Sequence, residues 1–104
     1  MSDLYEKHMN ICKQLNETYK QKNRAYGDSF TRTYKSLGII SAVTRISDKF
    51  NRLVNLAVNK QVDIGDEPIK DTLLDMANYC IMTYMEICRE EEEQTKQSNN
   101  DIDG

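Results

Sequence analysis

Six charged residues stand at helical spacing in two nearby stretches of this 104-residue chain. Arg45, Lys49 and Arg52 recur every three or four positions between Arg45 and Leu53. Glu67, Asp71 and Asp75 recur every four between Glu67 and Tyr79. On a helix such residues share a stripe. A basic stripe beside an acidic one is either a structural ion-pair seam or a site for a phosphate-rich ligand. The acids themselves are either a solvated helix face near an N-terminus or oxygen ligands for Mg2+, a hard cation that takes carboxylates and keeps waters. Asp48, one turn before Arg52, can also neutralise that arginine.

The two stretches must be helices that face one another. The linker between them is short, so an antiparallel hairpin is expected. Folded about Asp63 and Ile64, it sets Arg52 level with Asp75, Lys49 with Asn78 and Arg45 near Met82. Arg45 and Lys49 are one turn apart on the same face and repel unless an anion lies between them. Lys22 and Arg24, near the end of the first helix, add positive charge. Tyr26 and Phe30 add flat apolar surface for a base. The candidate ligand-binding set is therefore Lys22, Arg24, Tyr26, Phe30, Arg45, Lys49, Arg52 and Asn78. On spacing alone, Glu67, Asp71 and Asp75 are the candidate metal ligands.

The rest of the chain supplies the frame. With one Pro and four Gly, long uninterrupted stretches favour helices. Four are expected, making an all-α domain over residues 1–93, with a polar, disordered acidic tail over 94–104. The first helix runs from Asp3 to Arg24, with Leu4, His8, Ile11, Cys12, Leu15 and Tyr19 as its apolar stripe. Gly27 stops it. A short second helix lies between Thr31 and Leu37 and ends at Gly38. The third starts at Ser41 as N-cap, carries Ala42 or Val43, Ile46, Phe50, Leu53 and Ala57 on its apolar stripe, and ends near Lys60. Asp66 caps the fourth, which runs from Glu67 to about Glu92. Ile69, Leu73, Met76, Ala77, Cys80, Tyr84, Ile87 and Cys88 are its expected buried side. Ile81, Met82 and Met85 make it apolar on more than one side, as suits a central helix or one that meets a second subunit.

Composition bounds the function. The net charge is −3, but from Glu90 onward six acids stand against one base, so the helical part is mildly basic. That suits a small anionic ligand and not a DNA or RNA polymer. No apolar run approaches the roughly 20 residues that cross a bilayer, and the start lacks a signal-peptide pattern; a cytoplasmic protein is expected. Three cysteines without a CxxC pair argue against disulfides and zinc and read as small buried residues. His8 reads as a partly buried histidine. A chain this short buries a modest share of its surface, so a homo-oligomer is expected.

Three blocks, Lys22–Phe30, Arg45–Leu53 and Glu67–Tyr79, resemble the nucleotide modification associated domain family of small helical proteins common in phages and prophages. The resemblance covers Tyr5 to Glu86. A more distant similarity is to MazG-like all-α nucleoside triphosphate pyrophosphohydrolases, which hold Mg2+ with an ExxE and an ExxD pair. The stripe on the fourth helix resembles the second pair, with Asp71 and Asp75 as candidate ligands. The first is absent: Arg45, Asp48, Lys49 and Arg52 stand in its place, and of these only Asp48 could ligate a metal, so the resemblance implies Asp48, Asp71 and Asp75 as the metal set. The resemblance implies a nucleotide or nucleotide-like phosphate ligand. It leaves three classes: a Mg2+-dependent pyrophosphohydrolase of (d)NTP metabolism, a non-catalytic binder (of a cyclic-nucleotide or ADP-ribose-type immune signal in a phage–host contest, for example), and a structural protein whose seam is salt bridges.

Overall fold

The computed structural model of the chain describes the backbone of residues 2–26, 28–59 and 67–103, and the side chains of residues 3–25, 28–59 and 68–98. These form four helices and no strand: α1 (Ser2–Tyr26), α2 (Ser29–Leu37), α3 (Ile39–Val58) and α4 (Glu67–Asp103). The all-α expectation holds. Gly27, the expected linker 61–65, the Asp66 cap and the side chains of Tyr26 and Glu67 lie outside the described residues.

The α3–α4 pair is the principal packing contact. Contacts run Arg45–Tyr79, Lys49–Asp75 and Arg52–Thr72, so numbering rises on one helix as it falls on the other. The hairpin is antiparallel, as the short linker requires. Its inward line on α3 is Ala42, Ile46, Lys49, Leu53 and Leu56, all buried or half-buried.

The inward line on α4 corrects the expected one. Thr72, Thr83 and Glu86 are buried, with Ile69, while Leu73, Cys80 and Tyr84 are exposed. The line 69, 72, 76, 79, 83, 86 is itself a helical stripe, turned about one residue from the apolar one. Two threonines can occupy it because each hydroxyl donates to the carbonyl one turn back, Thr72 to Pro68 at 2.6 Å and Thr83 to Tyr79 at 2.7 Å. The polar atom is thereby satisfied within the helix, and the rest of the side chain packs as a small branched hydrocarbon. Glu86 is satisfied from two sides. Thr31 Oγ1 donates to its Oε1 at 2.7 Å and Arg89 Nε to its Oε2 at 3.0 Å. This fastens α2 to α4, with Tyr34 of α2 buried alongside and hydrogen-bonded to Glu90.

Gly38 joins α2 to α3. Its φ of 80° and ψ of −170° suit glycine, and its N–H donates to the Tyr34 carbonyl at 2.7 Å. Gly38, not Ser41, is the cap of α3; Ser41 lies in the first turn and donates its hydroxyl back to the Gly38 carbonyl at 2.8 Å. Phe50, expected inside, is half exposed, and Lys49 takes the inward position beside it.

α1 meets the rest of the bundle mainly on α4. Its N-terminal half overhangs: Leu4, Tyr5, Met9 and Ile11 are exposed. His8 is exposed too, with Cys12 Sγ 3.7 Å from its Nδ1. The buried-cysteine expectation therefore fails at Cys12 and Cys80, both exposed, while Cys88 is half-buried. α4 continues past the bundle, and its side chains from Glu91 to Ser98 are all exposed. A helical stretch without tertiary packing is marginal in water, which agrees with the polar composition of residues 94–104. Among the described residues no helix is long and apolar enough to cross a membrane.

Candidate functional site

Asp75 is the centre of the charged seam. Lys22 from α1 donates to its Oδ1 at 3.1 Å, and Lys49 from α3 donates to its Oδ2 at 3.2 Å. Three helices thus meet on one carboxylate. Helical spacing explains each contribution: Lys49 lies on the inward line of α3, and Asp75 lies one turn from Thr72 and Tyr79 on α4. Partial burial pushes the Asp75 carboxyl up, but hydrogen bonds and charge from Lys22 and Lys49 outweigh it, so its pKa lies below the ordinary carboxylate value.

The register differs from the sequence expectation by about one turn. Lys49, not Arg52, is level with Asp75. Arg52 Nε donates instead to Thr72 Oγ1 at 3.3 Å, and no ion pair joins it to Asp48 or Asp75 among the described residues. The Arg45 guanidinium stands over the Tyr79 ring, 6.0 Å from its centroid, in cation–π range. Phe30 stacks on the same ring at 6.0 Å with 29° between planes. Asn78 Nδ2 donates to the Leu15 carbonyl at 3.2 Å and ties α1 to α4.

Beside this knot opens a cleft of about 380 Å3, lined by Tyr19, Lys22, Asn23, Ser29, Arg45, Asp75, Asn78, Tyr79 and Met82. Lys49 borders it through Asp75 and, with Arg45, Asp48, Arg52 and Tyr79, lines the adjoining groove. So Lys22, Arg45, Lys49 and Asn78 of the expected set come together. Arg52 is one turn away. Phe30 backs Tyr79 without lining the cleft, Arg24 is exposed and outside the lining, and the Tyr26 side chain is outside the described residues.

Sequence reasoning passed over Tyr19, Asn23, Ser29, Tyr79 and Met82. A signal was present: Asp75, Asn78, Tyr79 and Met82 stand at i, i+3, i+4 and i+7, and Tyr19, Lys22 and Asn23 at i, i+3 and i+4. These are polar-and-aromatic stripes that a search for apolar periodicity overlooks.

Asp71 and Asp75 share a groove with Lys49, Arg52, Pro68 and Thr72. Yet Asp48, Asp71 and Asp75 do not gather into a cluster; no group of three or more His, Cys, Asp or Glu that could hold a metal occurs among the described residues. Both Asp75 oxygens already accept from ammonium groups. A site with one carboxylate saturated by lysines suits an anion better than a protein-held divalent cation, which wants several free oxygens.

The family model described as nucleotide modification associated domain 1 matches residues 22–87. That span begins at Lys22 and contains every cleft residue except Tyr19. No curated protein and no solved structure matches the chain.

Proposed function

We propose, for a chain that belongs to the nucleotide modification associated domain 1 family, that the cleft between α1, α3 and α4 binds a nucleotide or nucleotide-like phosphate. The observation that carries this reading is the convergence of Lys22 and Lys49 on Asp75 at the edge of a cleft that also holds Arg45, Tyr19 and Tyr79. An ammonium group has three donors. Each lysine gives one to Asp75, which leaves others to reach a phosphate oxygen. Asp75 acts as a positioning residue: it holds two mobile cations in place before the ligand arrives and so reduces the ordering cost of binding. Arg45, laid over Tyr79, supplies a planar donor fork of the kind that suits phosphate. Tyr19 offers a ring for the base, and Asn23 and Asn78 offer amides for its edge.

The donor set favours capture over turnover. Asp75 is held ionised with both oxygens occupied, so it is poorly placed to accept a proton from water. A Mg2+-dependent pyrophosphohydrolase remains the rival reading, and the experiment separates the two. Purified protein is titrated calorimetrically with nucleoside mono-, di- and triphosphates, cyclic nucleotides and ADP-ribose, with and without Mg2+, and each ligand is then recovered by denaturation and identified. The expected result is salt-sensitive binding of one class, recovered intact, and weakened at least tenfold by Arg45→Ala/Lys49→Ala. Hydrolysed product means the enzyme reading is correct. No binding across the panel, or binding that the double substitution leaves unchanged, overturns the proposal.

A further inference from the structure

The hairpin has a second side, and its chemistry is the opposite of the cleft's. Each helical residue advances 100° round the axis. Taking Lys49 as the inward direction of α3, Arg45, Asp48 and Arg52 fall to one flank, and Val43, Phe50 and Val54 to the other. Taking Thr72 as the inward direction of α4, Asp75, Asn78 and Met82 fall to one flank, and Leu73, Ala77 and Tyr84 to the other. Because the helices are antiparallel, equal rotations from the contact line bring both flanks to the same side. The polar flanks are therefore together, and they line the cleft and its groove. The apolar flanks are also together, on the far side.

That far side is open. Val43 is 49%, Phe50 51%, Leu73 49% and Tyr84 72% exposed. Single exposed apolar residues are ordinary; a contiguous face of them on the two best-packed helices is not. None of Val43, Phe50, Val54, Leu73, Ala77 or Tyr84 is charged.

We infer that this face is a homodimer interface, in which the α3–α4 hairpin of one protomer packs on that of a second copy to complete a four-helix bundle. Three observations select a second copy. An uncharged face is self-complementary, as a two-fold interface requires, and it offers no charge to choose a different partner or an anionic lipid surface. Two helices of this length present a face roughly 30 Å by 20 Å, on the scale of the ~800 Å2 per partner of a standard stable interface. Finally, the chain alone exposes 8300 Å2, where a compact protein of 12.1 kDa exposes about 6000 Å2. Its radius of gyration is 17.6 Å against about 13 Å for a compact domain of this length. The polar extension of α4 and the overhanging half of α1 account for part of that excess. The buried apolar core of the described residues is Tyr34, Ala42 and Ile69, too little for a bundle that stands alone.

The inference does not depend on the nucleotide reading, because it concerns the opposite flank. Its test is the mass of the full chain by sedimentation equilibrium between about 1 and 100 µM, the range of ordinary dimer dissociation constants, with circular dichroism alongside. The expected result is a mass twice 12.1 kDa for the natural sequence and a helical monomer for Phe50→Glu. If Phe50→Glu loses its helicity, the milder pair Val43→Ser/Tyr84→Ser is expected to raise the dissociation constant at least tenfold. A natural chain that stays monomeric across the range, including one that then binds neutral or anionic vesicles, overturns the inference. So does a dimer indifferent to both sets of substitutions, since its interface lies elsewhere.

Discussion

Asp75→Asn is the perturbation that reads the charged knot most directly. Asparagine keeps the size and one acceptor but removes the charge. Two ion pairs are affected. Lys49–Asp75 joins side chains 29% and 27% exposed, so it is only partly screened; Lys22 is 57% exposed and its pair is close to a surface one. Measured surface pairs contribute up to about 1 kcal/mol, which gives a combined loss of about 1 to 2 kcal/mol. For a domain of this size that lowers Tm by roughly 5–10 °C. The pH dependence fixes the cause. The Asp75 pKa is below the ordinary carboxylate value in the folded chain, so its stabilisation is complete above that ordinary value and is lost as pH falls through the lower folded one. Urea denaturation of both chains across the acid range should therefore show a gap at neutral pH that closes as Asp75 protonates, and that shrinks in high salt. A gap that persists unchanged into strong acid, or a neutral-pH loss well above 3 kcal/mol, would refute the account of Asp75 as a half-exposed anion shared by two lysines.

Other substitutions probe the remaining contacts. Glu86→Ala should destabilise by about 2–3 kcal/mol in chemical denaturation, because the Thr31 hydroxyl and Arg89 lose their buried acceptor; Glu86→Gln, which keeps an acceptor, should cost clearly less. The Tyr34 phenol donates to Glu90 and is buried beside Glu90 and Glu86, which raises its pKa to about 12. Its protonated form is thus favoured by folding, and that stabilisation is present below the ordinary tyrosine range and is lost as pH rises through about 12. Ultraviolet titration should show a late-ionising component that Tyr34→Phe removes. Asn78→Ala deletes the tie to the Leu15 carbonyl, and hydrogen exchange along α1 should quicken while α3 is unaffected.

Much of this architecture is legible before any coordinate. The lack of breakers and the periodic apolar residues imply four helices and an antiparallel last pair, and the helix limits agree to within a few residues except at the far end of α4. One residue of each stripe, Arg45 and Asp75, lines the cleft with Lys22 and Asn78, and Lys49 borders it. The misses have one kind of cause. Counting apolar residues treats threonine and glutamate as outward, yet Thr72, Thr83 and Glu86 are buried because their polar atoms are satisfied locally or by α2. The same counting turns Cys12, Cys80 and His8 inward, and all three are exposed.

Which segments are helical and which residues share a stripe can be read from the chain's order of residues, because both follow from backbone propensity and a fixed 100° step. The register between stripes and the direction each stripe faces are set by packing between helices. A short linker leaves the hairpin free to slide by a turn, so Lys49 rather than Arg52 reaches Asp75, and an amphipathic helix with two apolar faces turns inward the one whose neighbours complete its hydrogen bonds.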